Sequence, residues 1–321
     1  MKVAQHYVPQ SYLKKFYDND KLWVLDFEKL HKGYSDFLSS KVSAQICRDK
    51  YFYNLDEDFK NRNPEYANLD EEHIENETFK RLENQYARTL YNSLVEKLKL
   101  TSNECDAFAD FIIQMKIRNP YYRNNDLKNN GTRLIDIAKE QLQHDNYYHE
   151  RFRKIPTLLK NSILEFVMDK KYNGENFERN IQLSSLIKRE NDRKTSTMLK
   201  DALRKHPWTI AISKLPGNNF LTTDNPGASV SKQKPGIFNT KFNEDFTFYF
   251  PLSPNHCLII DGTTIDVDFF YDSSVKKISM KAIDFQSIIQ INNIIIQTMN
   301  GLAISNNRQL LDHLATRNRA Y

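Results

Sequence analysis

At 321 residues, with 40% hydrophobic, 12% aromatic and 27% charged positions, the chain can bury a sizeable core and is not a disordered sequence, although a mean hydropathy of -0.68 predicts much polar surface. A net charge of +5 and a pI near 8.8 permit a polyanionic partner without reaching the strongly basic signature of a dedicated nucleic-acid binder. Cys47, Cys105 and Cys257 are widely spaced and form no CxxC pattern, which argues against a disulfide framework or a thiolate zinc site; with no basic-then-apolar leader and no run of about 18 apolar residues, a soluble protein of the reducing cytoplasm is expected.

The chain opens on Gln5-His6-Tyr7-Val8-Pro9-Gln10-Ser11-Tyr12, a polar cluster around one proline. Pro9 fixes its own φ and pushes Val8 toward an extended conformation, so His6 should sit on a short extended lead-in to a helix beginning near Pro9, with His6 and Gln10 aimed at common space. Leu22 to Asp26, Lys41-Val42-Ser43 and Tyr51-Phe52-Tyr53 are short β-type runs separated by Gly33 and polar turns, and they suggest a small hairpin or edge sheet. From about 70 to 205 the helical period dominates, with Ile74, Phe79, Leu82, Tyr86 and Leu90 followed by Leu94 and Leu98. Within it Ser102 is the expected N-cap of a helix that Pro120 stops at Asn119. On that helix Asp110, Gln114 and Arg118 form a polar line beside the apolar line of Phe108, Ile112 and Met115, at the margin of the buried face. The polar stretch 170–193, with Asn173-Gly174, reads as a loop.

After Pro207, the runs 208–212, 220–222, 246–252 and 257–261 read as strands, and Ile288, Ile291, Ile295, Met299 and Leu302 then mark a buried helix that Gly301 interrupts or caps. The predicted fold class is α+β: a mainly helical middle, a small N-terminal β element and a mixed β/helix C-terminal part. One unit over 1–321 is expected, with possible sub-parts 1–60, 61–205 and 206–321.

His6 is the candidate acid or base, because imidazole exchanges protons near neutral pH; a hydrogen bond to a helix end is the competing reading. Arg118 places a guanidinium at a helix C-terminus, where it either satisfies terminal carbonyls or offers a fork to a phosphate or carboxylate. Gln114 precedes it by one turn and Tyr121, Tyr122 and Arg123 follow, so amide, cation and aromatic faces gather there in a mixture that suits an RNA backbone. Thr222-Thr223-Asp224-Asn225-Pro226 reads as a strand ending in a tight turn, structural in most proteins, yet Asp224 at such a strand end is also placed to act as an acid, a base or an orienting partner for histidine.

The positive charge is expected on Lys14, Lys15, Arg118, Arg123, Arg151, Arg153 and Lys154. His144 and His149, five apart beside Asp145 and Glu150, straddle rather than share a helix face, so no metal site is expected. With no P-loop, GxGxxG fingerprint or nucleophile elbow, no cofactor is expected either. Arg308 and His313 form one Arg-x4-His pair at a spacing that resembles the HEPN ribonuclease motif, against which stands an ordinary solvated helix face.

Four segments, in register along the chain, resemble the DUF4238 family of mainly bacterial proteins: the His6-Tyr7-Val8-Pro9 opening; Phe111-Ile112-Ile113-Gln114 leading to Arg118-Asn119-Pro120; Trp208 followed by Phe220 to Pro226; and Phe250-Pro251-Leu252-Ser253-Pro254. The resemblance implies one unit covering nearly the whole chain, and it names no chemistry.

On the residues themselves, His6, Gln10, Gln114, Arg118 and Asp224 are expected to converge in a polar cleft between the helical middle and the β-containing C-terminal part. Such a cleft suits a metal-independent nuclease acting on RNA or another nucleic acid. In it His6 is acid or base, Asp224 orients it or shares the proton, and Arg118 stabilises phosphate charge, while Gln10, Tyr12, Gln114, Tyr122, Arg123 and Asn225 hold substrate. The mainly bacterial family suggests a toxin or antiviral-defence setting. Two alternatives stay open: a non-catalytic module binding a nucleotide, a nucleic-acid end or a protein, and a group transferase such as an ADP-ribosyltransferase. No membrane partner is expected.

Overall fold

Alternation of buried and open side chains through Trp208-Thr209-Ile210 and through Phe246-Thr247-Phe248-Tyr249-Phe250 makes these segments strands, and their pairing partners set the frame. The computed structural model describes residues 4–129, 176–191 and 200–319, except 216, 232, 234, 240, 241, 243, 244, 272 and 273. In chain order the strands are β1 (Ala4–His6), β2 (Leu22–Asp26), β3 (Leu38–Lys41), β4 (Arg48–Lys50), β5 (Lys99–Thr101), β6 (Trp208–Ser213), β7 (Thr222–Thr223), β8 (Ala228–Ser231), β9 (Ile237–Phe238), β10 (Phe246–Ser253), β11 (His256–Asp261), β12 (Val275–Ile283) and β13 (Leu302–Ser305).

They form a seven-stranded sheet of order β5-β12-β6-β11-β10-β8-β9, a four-stranded sheet of order β3-β2-β13-β7, and a two-stranded ribbon of β1 and β4. Among the described strands only the β12–β6 pair is parallel. The architecture is α+β.

The helix Ser102–Ile117 lays its apolar line on the large sheet. Phe108 meets Trp208 at 5.7 Å and Phe250 edge-on at 6.2 Å between ring centroids, and Phe111 stacks on Tyr86 at 4.3 Å. Aromatic pairs of this kind contribute about 0.5–1.5 kcal/mol each beyond their buried area, so this row anchors the helical middle to the sheet. Tyr12, Leu13 and Phe16 enter the same core from the N-terminal segment. A second core lies between the four-stranded sheet and the helices Phe285–Ile296 and Arg308–Arg319, built on Leu25, Phe220, Leu221, Ile288, Ile291 and Ile295. Among the described residues no helix is long and apolar enough to cross a membrane.

Several predicted boundaries shift for local reasons. β3 ends at Lys41 and Ser43–Gln45 is a 3-10 turn, so the run Lys41-Val42-Ser43 is not a strand. Tyr51 takes a positive φ of 55° and ends β4, and Phe52 and Tyr53 are buried turn anchors rather than strand residues. Thr101, not Ser102, caps the long helix, through a reciprocal box with Glu104. That helix ends at Ile117, two residues before the expected stop. Part of the expected loop 170–193 is helix, Phe177–Asn191; Asn173 and Gly174 lie outside the described residues. Leu302 belongs to β13, because the buried helix closes at Ile296.

Candidate functional site

Antiparallel pairing sets Ala4 opposite Lys50, Gln5 opposite Asp49 and His6 opposite Arg48. Side chains directly opposite each other share a face, so His6, Arg48 and Lys50 lie on one side of the ribbon, the two cations exposed and the imidazole half-buried. Gln5, on the other side, is fully buried: its Nε2 donates to Asn54 Oδ1 at 2.9 Å and its Oε1 accepts from the Tyr53 amide at 2.6 Å. That pair pins the ribbon to the core and so fixes the height of His6.

The His6 ring bonds the backbone of Ala44, while its Nε2 is buried without a hydrogen-bond partner. Nε2 is thus a buried nitrogen with an unused position. Burial pulls the imidazole pKa below its ordinary 6.5; the Ala44 bond and the Glu83 charge oppose that, and Arg48 and Arg118 reinforce it. Near neutral pH the ring is therefore uncharged.

Arg118 follows the long helix as its C-cap, and its fork points inward. Nη1 pairs with Glu83 Oε1 at 2.8 Å, Nη2 donates to the His6 carbonyl, and the guanidinium carbon lies 3.9 Å from the centroid of the Phe79 ring. The Tyr53 hydroxyl donates to the Arg118 carbonyl. The expectation of a fork held out to phosphate is corrected here: only about 2% of the side chain is exposed and two of its nitrogens are committed inside the protein. Glu75 stands close enough for its charge to act on Arg118; burial raises its carboxyl above the usual carboxylate range, and its Oε2 is buried without a partner. Glu75 lies in a π-helical turn, Ile74–Phe79, a local widening frequent at functional sites.

The Asp224 carboxylate is internally occupied, and its charge reaches Tyr7 and Cys47 beside the N-terminal segment. The carboxylate accepts from the Asn300 amide at 2.8 Å and the Leu302 amide at 3.0 Å, and it is 1% exposed. Burial lifts its pKa to about 7 against the pull of those backbone donors. Asp224 therefore ties the turn to the start of β13. Asn225, expected to touch substrate, is a fully buried hub. Its Oδ1 accepts from Lys116 Nζ at 2.8 Å and Asn119 Nδ2 at 2.7 Å, and its Nδ2 donates to Asn239 Oδ1 at 2.9 Å and the Thr298 carbonyl at 2.6 Å. Lys116 Nζ donates further to the carbonyls of Pro226 and Gly227.

Tyr12 is also core: its hydroxyl pairs with Thr222 Oγ1 and donates to the Pro251 carbonyl, both at 2.7 Å. Gln10 accepts from Ser43 Oγ at 3.4 Å, Gln114 is half-buried, and the Tyr122 amide donates to Asn119 Oδ1 at 3.1 Å. Arg123 donates to Gln182 Oε1 at 2.8 Å and lies 4.0 Å from the Phe52 ring centroid, and burial lowers its pKa to about 10. Thus the N-terminal segment does meet residues more than a hundred positions away, Arg118 at His6 and Thr222 and Pro251 at Tyr12, while Asp224 and the imidazole keep separate partners.

Arg151, Arg153, Lys154 and the His144/His149 pair lie outside the described residues. Arg308 and His313 share the last helix; Arg308 pairs with Asp312 at 3.5 Å and lies over the Trp23 ring. Sequence reasoning missed Glu75, Glu83, Lys116 and Arg48. The first two look like part of an acidic helix surface, and Lys116 lies within an apolar run, Phe111 to Ile117, where a lone cation is the available signal.

No curated protein sequence and no solved structure matches this chain. A family model described as "Protein of unknown function (DUF4238)" matches residues 4–309, which takes in the ribbon, the Arg118 clamp and the Asp224 turn, and the chain belongs to that family.

Proposed function

We propose that this chain cleaves RNA through acid–base groups of its own, with His6 as the base. One juxtaposition carries the reading: a half-buried imidazole whose pKa burial lowers and whose enclosed Nε2 has no partner, on the same ribbon face as the exposed cations Arg48 and Lys50. In such a site Nε2 takes the proton of a ribose 2′-hydroxyl, the 2′ oxygen attacks phosphorus, and the 5′ oxygen leaves. Arg48 and Lys50 offset the charge that gathers on the phosphate. Glu75, held toward its protonated form by burial, is the group suited to return a proton to the leaving oxygen. Arg118 acts as a positioning residue, gripping the His6 carbonyl with a fork that Glu83 and Phe79 hold still. This is an activity of the kind a toxin or defence effector uses.

A second reading, a module that holds phosphate without cleaving it, is favoured by the burial of Nε2 and by the internal commitments of Arg118 and Asp224. End-labelled RNA incubated with the full chain in chelator separates the two. Cleavage leaving 2′,3′-cyclic phosphate ends, abolished by a single deoxynucleotide at the cut and reduced on the order of 100-fold or more by His6→Ala, supports catalysis. Retention of RNA without cleavage, lost in Arg48→Glu/Lys50→Glu, supports the binding module. Absence of both overturns the assignment of this face to nucleic acid.

A further inference from the structure

We propose that the cleft between the helices Phe285–Ile296 and Arg308–Arg319 binds a small amphiphile carrying a carboxylate, of the class of medium-chain fatty acids. The cavity measures about 570 Å³, within the roughly 300–1,000 Å³ range of small-molecule sites. Its walls are apolar, with Leu221, Phe285, Ile289, Ile296, Leu310 and Leu314 facing in, and Phe285 leaves 47% of its surface open although it is aromatic.

The cavity is also rigidly framed. Asn292 accepts from the Leu221 amide at 3.1 Å and donates to the Asn219 carbonyl at 3.0 Å, which ties the helix Phe285–Ile296 to the floor. Asn307 donates to the Gly217 carbonyl at 3.2 Å and accepts from the Gln309 amide at 2.9 Å, which fixes the start of the last helix across the mouth. A ligand entering such a frame meets little cost of ordering.

Charge selects the head group. His313 and Arg317 lie one turn apart on the last helix and line the cavity together, and no carboxylate is among the described residues that line it. A guanidinium fork at the rim of an apolar slot matches one planar carboxylate whose chain runs inward. His313 thereby has a place in the molecule apart from Arg308, which faces Asp312 and Trp23. The family match ends at residue 309, so the Leu310, His313, Leu314 and Arg317 wall lies beyond it.

Calorimetric titration of the full chain with decanoate, 1-decanol and decyl phosphate tests the assignment. Saturable one-to-one binding of decanoate is expected, at least about tenfold tighter than decanol, since a charge-assisted hydrogen bond is worth roughly that factor. Arg317→Glu, at an exposed position, should weaken decanoate about tenfold or more and leave decanol unchanged. Ile289→Trp, confirmed folded by an unchanged melting temperature, should remove binding by filling the slot. No saturable decanoate binding, equal or tighter binding of decanol or decyl phosphate, or an indifferent Arg317→Glu variant overturns the proposal.

Discussion

Asp224→Asn should make the protein less sensitive to pH and, above neutrality, more stable relative to wild type than it is in acid. The folded carboxyl keeps its proton up to about 7, whereas an unfolded aspartate releases its own near the ordinary 3.8. Between those values the folded state binds more protons than the unfolded one, so wild-type stability falls as pH rises through this window and the loss is complete above about 7. At about 1.4 kcal/mol per pH unit the full effect is roughly 4 kcal/mol, an upper bound that local relaxation reduces. Asparagine carries no titration there, although its amide nitrogen faces one of the two backbone donors at Asn300 and Leu302, a mismatch of about 1–3 kcal/mol that is the same at every pH. Urea unfolding of both proteins at several values from pH 4 to pH 8 gives the difference in stability. It should move toward the variant by about 2–4 kcal/mol across the range. A flat difference would refute the idea that this carboxylate is held in the protein against its hydration.

Lys116→Met should lose roughly 3–5 kcal/mol in chemical denaturation, because it strands the acceptors of Asn225, Pro226 and Gly227 in a buried site. Burial pulls the Lys116 pKa well below 10.5, so wild type should gain stability as pH rises toward that value, a slope the Met variant lacks. Gly227→Ala should cost roughly 3 kcal/mol in the same measurement: the residue has φ of +81°, and an added Cβ would lie 2.7 Å from the Tyr249 carbonyl oxygen. Tyr12→Phe removes only a hydroxyl, leaves Thr222 and the Pro251 carbonyl short of a partner, and should cost about 1–3 kcal/mol.

The parts of this molecule that were legible in its residues are those in which one face is apolar and the period is long. The row Phe108, Ile112 and Met115 announced its helix, and β6, β10 and β11 were legible as β-forming runs bounded by turn residues. Short β8, β9 and β13 gave too few residues for a period, whereas the Arg308 and His313 stretch was legible as a solvated helix face. Site residues were read with the right polarity and in the wrong direction. Arg118, Asp224 and Asn225 are polar because they satisfy buried backbone and one another, a demand set by segments brought together in three dimensions and invisible in a linear string. His6 differs from these, since one of its ring nitrogens is buried without a partner. Glu83, its neighbour through Arg118, is announced by nothing in the local sequence.

The pairing of β2 with β13 sets Asp26 beside Leu302. During translation at about 5–20 residues per second, β2 waits on the order of tens of seconds for β13 to be made, its inner edge bare meanwhile. Ribosome-bound chains stalled short of residue 300 therefore hold an incomplete four-stranded sheet and lack the amides that engage Asp224, so final closure is a late event in biosynthesis and a natural point for chaperone engagement.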